Sequence, residues 1–178
     1  ITGIRFYKGT GNTGTHVGHL WTSAGTLLAS ATFTNESATG WQQVNFAQPV
    51  AIQADTTYVA SYYAPSGGYA FDGGYFGSSG ADAGVLHALS NSAGNGNGVY
   101  AGGADGVFPN NSYNASNYWV DVVFSNVLVP TVTGTTPTAN ATGIDTAAPN
   151  ITAAFSKPVQ ANTISFILTD SGGNAVSG

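Results

Sequence analysis

The 178-residue chain has no cysteine and no methionine, and only 6% of its residues are charged. Without cysteine it can form neither disulfides nor thiolate metal centres, so its stability rests on apolar packing and hydrogen bonds. Positive charge is scarcest: Arg5, Lys8 and Lys157 are the only lysines and arginines, and the net charge is −5. Nucleic-acid binding needs several cations to neutralise phosphates, so no nucleic acid is expected as a partner, and an anionic membrane surface is disfavoured for the same reason. No apolar run approaches the roughly 18 residues that cross a bilayer, so no membrane insertion is expected. Nothing resembling a signal peptide is present. The opening ITGIRFY reads as mid-strand, and the chain is expected to be a processed or excised piece of something longer.

Hydrophobic residues make up 42% of the chain, enough for a core without covalent staples. Charged residues are normally about 25% of a globular protein, so this surface must be built from Thr, Ser, Asn, Gln and Gly. Such a surface suits a secreted adhesive or polysaccharide-handling module better than a cytosolic enzyme.

The patterning is that of strands. In Gly40 to Tyr63, Val44 and Phe46 alternate with Gln43 and Asn45, and Tyr58, Ala60 and Tyr62 alternate with Thr57, Val59 and Ser61. Period-two alternation marks strands with one buried face, and this pair is expected to form the spine of a β-sandwich. Thr2–Lys8, with Ile4 and Phe6 on one face, Val17–Thr22 and Leu27–Phe33 read as partner strands separated by Gly-rich turns. Tyr118–Phe124 reads as a closing strand with Tyr118, Val120, Val122 and Phe124 on one face. Between them, residues 64 to 117 are rich in Gly, Ser and Asn but carry many aromatics. So long a connection would be unusual without structure of its own, and short strands are expected at Gly84–Leu89 and Gly98–Ala101. From Pro130 the texture shifts to Thr, Ala and Pro. Ile151–Phe155 and Ile164–Leu168 read as strands, and Asp170 to Asn174 as a hairpin turn. What remains after residue 130 is too short for an immunoglobulin-like sandwich of about 100 residues.

Three separated stretches, GIRFYKGTGNTGTHVGHLW, LLASATFTNESATGWQQVNFAQPVAIQADTTYVASYYAP and FPNNSYNASNYWVDVVF, occur in the order in which they resemble a bacterial extracellular family known as domain of unknown function 4082. The stretch from Thr133 to Gly178, with its FSKPV, resembles a bacterial Ig-like repeat. The resemblance implies an exported, multi-domain surface or matrix protein. The expected fold is all-β: a jelly-roll-like antiparallel β-sandwich over residues 1–125, a linker over 126–131, and a partial Ig-like β-sandwich over 132–178. The family ordinarily has a further strand before ITGIRFY, and the Ig-like repeat is cut about halfway. An open edge beside Ile4 to Tyr7 is therefore expected, left bare in a fragment or filled by a neighbouring chain.

The candidate chemistry is in the aromatic rings. Carbohydrate-binding sandwiches stack flat rings on sugar faces and bond the hydroxyls with amides and carboxylates, and Tyr and Trp join an apolar face to a polar handle. Tyr69, Asp72, Tyr75, Tyr63 and Trp21 are the candidate carbohydrate ligands. Core packing is the competing explanation, and it is the one expected for Trp41 and Trp119. Asp72, Asp82 and Asp105 sit in Gly-rich loops whose carbonyls could help hold a structural calcium, the only cofactor to be weighed, though no EF-hand spacing accompanies them. His16 and His19 would fall on opposite faces of a strand, which argues against joint chelation. Glu36 is the only glutamate, and no paired carboxylates or nucleophile elbow are visible, so no catalytic site is expected.

The expected function is a non-catalytic bacterial module, extracellular or at the cell surface, whose partner is a polysaccharide or surface glycan. The alternative is a structural subunit of a cell-surface fibre or adhesin, joined to other copies of itself by β-strand addition. An exposed aromatic platform near Tyr69 to Tyr75 would favour the first, and an edge filled by another chain the second.

Overall fold

A computed structural model of the chain describes residues 1–93, 96–126, 130–144, 150–159, 164–165, 167, 169 and 172–175, and among these described residues there are twelve short strands and no helix. The fold is all-β, with every pairing antiparallel. Two units are distinguished, Ile1–Ser125 and Asn126–Gly178.

In the first unit, β1 (Gly3–Lys8), β4 (Gly40–Asn45) and β10 (Val120–Val123) form one sheet in the order β10-β1-β4. The strands β2 (Val17–Thr22), β3 (Leu27–Thr32) and β5 (Tyr58–Tyr63) form a second, ordered β3-β2-β5. Their facing sides hold one core of Ile1, Ile4, Phe6, Leu20, Phe33 and Phe46, against which Val44, Tyr58, Ala60, Tyr62, Val120 and Val122 pack. The predicted inward residues of Thr2–Lys8, Gly40–Asn45 and Tyr58–Tyr63 thus all face the core. Phe6 stacks on Tyr62 with centroids 4.1 Å apart and meets Phe33 edge-on at 4.8 Å. Gly18, on the inner face of β2, lets the sheets approach: a Cβ there would lie 2.9 Å from Cβ of Ile4.

Three expectations need correction. The segments around β4 and β5 are not the central pair. They are edge strands of different sheets, because the connection between them crosses over the core, where Val50 and Ile52 pack, rather than turning back as a hairpin. The centre of the first sheet is β1, hydrogen-bonded to β4 on one side and β10 on the other, so Ile4 to Tyr7 has no open edge. The closing strand begins at Val120, two residues late, because Trp119 adopts φ +52° and breaks the alternation there. A non-glycine residue in the left-handed region turns the chain out of the pleat.

Residues 64–93 and 96–117 form a covering layer with two hairpins, β6 (Ala81–Ala83) with β7 (Leu86–Ala88), and β8 (Val99–Tyr100) with β9 (Asn111–Ser112). β7 and β8 fall inside the predicted short strands. In the second unit β11 (Val132–Thr136) pairs with β12 (Thr152–Phe155), and Ser156 exchanges backbone and hydroxyl hydrogen bonds with Thr131. A bridge joins Thr169 and Ala175, flanking the expected hairpin turn. Asp170 and Ser171 of that turn lie outside the described residues, as do Phe166 and Leu168 of the expected strand. Its Ile164, Ser165 and Ile167 are not in a strand.

Candidate functional site: an aromatic recess on the outer sheet face

Alternation along β1 sends Ile4 and Phe6 inward and leaves Arg5 and Tyr7 outside. Register places Trp41 directly opposite Tyr7. Cross-strand partners on one face are close enough for their rings to touch, and these meet at 5.8 Å, nearly perpendicular at 87°. Trp119 is brought to the same place by its turned backbone: its carbonyl accepts from the Tyr7 amide, and its own amide donates to Oδ1 of Asn117. Its ring lies 6.4 Å from Trp41 at 85°. Tyr75 follows at 5.5 Å from Trp119, held beside buried Phe76.

Asp72 is pinned by a two-way backbone bridge with Asn117, and its Oδ2 accepts from Nε1 of Trp119 at 2.9 Å. Its second carboxylate oxygen has no hydrogen-bond partner among the described residues. Tyr7, Trp41, Ala70, Phe71, Asp72 and Trp119 enclose a recess of about 410 Å3. On the Trp41 side, the guanidinium of Arg5 lies 4.8 Å over the indole while Nε and Nη2 both donate to Oδ2 of Asp121. The arrangement offers exposed ring faces and edges beside one carboxylate acceptor.

A larger cleft, about 990 Å3, lies between the outward side of β5 and the covering layer, with Ser61, Tyr63, Tyr69, Asn97, Phe108 and Tyr118 among its walls. Burial, and then the neighbouring Tyr69, raises the Tyr118 hydroxyl above its ordinary range. On the same sheet face His19 is held low by burial, partly offset by Asp105, whose Oδ1 lies 3.2 Å from Nε2.

The five predicted carbohydrate ligands therefore divide. Asp72 lines the recess and Tyr75 flanks it. Tyr63 and Tyr69 line the larger cleft, although Tyr69 also touches Phe71 at 6.0 Å. Trp21 must be withdrawn: it is 3% exposed, its Nε1 bonded to Ser61 Oγ and its ring packed between His19 and Phe108. The covering layer lies over it, which period-two reading of β2 alone does not reveal. The opposite correction applies to Trp41, expected in the core but 44% exposed on the outer face. Its partners Tyr7 and Phe71 were also missed, and the alternation of β1 that put Phe6 inside was the signal for Tyr7.

The three aspartates weighed for calcium are not brought together. Asp72 faces Trp119, Asp82 pairs with His87 at 2.7 Å, and Asp105 with His19. Among the described residues no group of three or more His, Asp or Glu side chains is placed to hold a metal.

One further polar cluster went unread in the sequence. Glu36 accepts from Lys8 Nζ at 2.8 Å and lies 2.8 Å from Nδ1 of His16, whose Nε2 meets Asn12 Oδ1, and Asn12 Nδ2 donates to the Tyr62 hydroxyl. His16 and Asn12 are fully buried. Burial pushes Glu36 up, but the hydrogen bonds from Lys8 and His16 outweigh it and hold the carboxyl below its ordinary value. Burial pushes the Tyr62 hydroxyl up to about 12. The rarity of its members, the one glutamate and one of three Lys and Arg residues, was the only sequence signal. Mostly withdrawn from solvent and mutually satisfied, the cluster ties the end of β1 to the loops before β2 and β4.

These features define an all-β sandwich module with a ring-lined surface recess, followed by a second β unit. Residues 1–120 match the family described as domain of unknown function (DUF4082), and the chain belongs to that family. Residues 127–178 match the bacterial Ig-like domain. Bacterial Ig-like domains are typically non-catalytic and commonly occur in extracellular or surface proteins. No curated protein and no solved structure matches the chain.

Proposed function

We propose that the chain is a non-catalytic carbohydrate-binding module of a bacterial surface or secreted protein, and that its site is the recess of Tyr7, Trp41, Phe71, Asp72 and Trp119. One observation carries this reading: exposed rings converge on a carboxylate with one acceptor oxygen unpartnered among the described residues. Aromatic rings exposed to water are a poor investment for solubility unless something covers them, and sugars present the apolar C–H face that a ring accepts. A carboxylate beside the rings supplies direction through hydroxyl donors, with charge-assisted bonds stronger than neutral ones.

The test is a glycan array probed with the wild-type chain and with Trp41→Ala. Binding by the wild type and a loss of tenfold or more in the variant, roughly what a central aromatic anchor contributes, supports the reading. No binding by the wild type to any glycan, or equal binding by both proteins, rejects it.

A further inference from the structure

We infer that the recess takes the ends or short segments of neutral, soluble glycan chains, and neither crystalline nor acidic polysaccharide. This rests on the carbohydrate reading and narrows its ligand.

The first argument is the orientation of the rings. A flat crystalline polysaccharide face needs coplanar rings to lie against. Here Tyr7 and Trp41 are inclined at 87°, Trp41 and Trp119 at 85°, and Trp119 and Tyr75 at 68°. Edge-to-face contacts of this kind are a preferred arrangement of aromatic pairs, so the rings brace one another at these angles. A flat surface laid on one ring would meet the next edge-on. A corner of perpendicular rings suits instead a ligand that can enter it and be touched from two sides.

The second argument is size. At about 410 Å3 the recess is at the small end of the range for small-molecule sites, roughly 300–1,000 Å3. It has room for about one or two sugar units, so a longer chain extends out of it without adding contacts there.

The third is charge. Arg5 lies over Trp41 with its charge paired to Asp121 through Nε and Nη2. The recess itself contains the Asp72 carboxylate, in a chain of net charge −5. A uronate or other acidic sugar would meet like charge with no cation among the walls of the recess to offset it, whereas the vicinal hydroxyls of a neutral sugar can donate to the Asp72 oxygen that has no partner among the described residues.

Three probes test this on the whole chain: neutral oligosaccharides of increasing length by calorimetry, microcrystalline cellulose and crystalline chitin by sedimentation, and polygalacturonate by affinity electrophoresis. The expected result is binding to members of the neutral series, with affinity that stops rising beyond about two units, and no retention by the crystalline or acidic polymers. Asp72→Asn keeps the size of the side chain, and it should weaken neutral-glycan binding about tenfold, as loss of a charged acceptor does. Retention by a crystalline polymer, binding to polygalacturonate, or affinity that climbs steadily with chain length would overturn the inference while leaving carbohydrate binding standing. Failure of all three probes would remove both.

Discussion

Phe6 and Tyr7 are neighbours in one strand and belong to opposite surfaces. Phe6 lies fully buried between Tyr62 and Phe33, while Tyr7 stands on the outer face against Trp41. Edge-to-face contacts occur in both aromatic clusters, and the inner one adds the Phe6–Tyr62 stack. What separates them is the environment behind the rings: the inner set excludes water from both sheets, and the outer set has solvent on one side. The fold therefore depends on the first and should be nearly indifferent to the second. Phe6→Ala opens a cavity in the sandwich and is expected to cost about 3–5 kcal/mol, read as a drop in urea midpoint. Tyr7→Ala should cost less than about 1 kcal/mol, as exposed substitutions do. Similar losses in the two variants would mean that the outer face is covered and that the recess is not a surface at all.

Strand β1 also carries two ion pairs that sharpen the comparison. Lys8 and Glu36 are 12% and 11% exposed, Arg5 and Asp121 46% and 48%. Removing one partner of a nearly buried pair leaves the other poorly solvated, so Glu36→Gln is expected to cost up to about 3 kcal/mol. Asp121→Asn, at an exposed pair, should cost at most about 1 kcal/mol. The pH dependence follows from the direction of the Glu36 shift. Because its carboxyl titrates lower in the folded chain than the ordinary 4.5, the unfolded chain binds more protons between the two values. That contribution to stability is complete above 4.5 and is lost as pH falls through the folded value. His19 acts in the window above it: held below 6.5 by burial, it favours the neutral form in the fold, and stability declines as pH falls from 6.5 toward its folded value. Urea midpoints measured across pH should show the acid limb below 4.5 shrink in Glu36→Gln and persist in Asp121→Asn. An acid limb unchanged in Glu36→Gln would refute this role for the cluster.

The sandwich was legible where one face of a strand is apolar. Ile4, Phe6, Val44, Tyr58, Ala60, Tyr62, Val120 and Val122 all read correctly, because the pleat alone decides their side. Which strand lies beside which was not legible, and β4 and β5 were wrongly paired, since sheet order depends on how a connection crosses the core and not on alternation. The recess was half-legible. Asp72 and Tyr75 stood out in a Gly-rich segment, but Trp41 is expected in the core only because of its size: it shares the parity of Gln43 and Asn45, opposite Val44 and Phe46, so the alternation already placed it on the outer face. Trp21 could not be read from its own strand: only the covering loops that supply Phe108 and Asp105 make the outer face of β2 an interior.

That exchange of roles between two tryptophans gives the smallest expected change in stability and the clearest test of the site. Trp41 packs against Tyr7, Trp119 and Arg5 with nearly half its surface in solvent, so Trp41→Ala should cost at most about 1 kcal/mol, read as a small drop in urea midpoint. Trp21 fills the space between β2 and the covering layer with its indole nitrogen bonded to Ser61, and Trp21→Ala should cost about 3–5 kcal/mol. Glycan binding should separate them in the opposite sense. Under conditions where both variants remain folded, Trp41→Ala loses binding at full stability, and Trp21→Ala keeps it at reduced stability. If instead binding tracks stability in both proteins, the recess is not the ligand site, and the larger cleft beside Tyr63 and Tyr69, whose wall rests on Trp21, becomes the place to look.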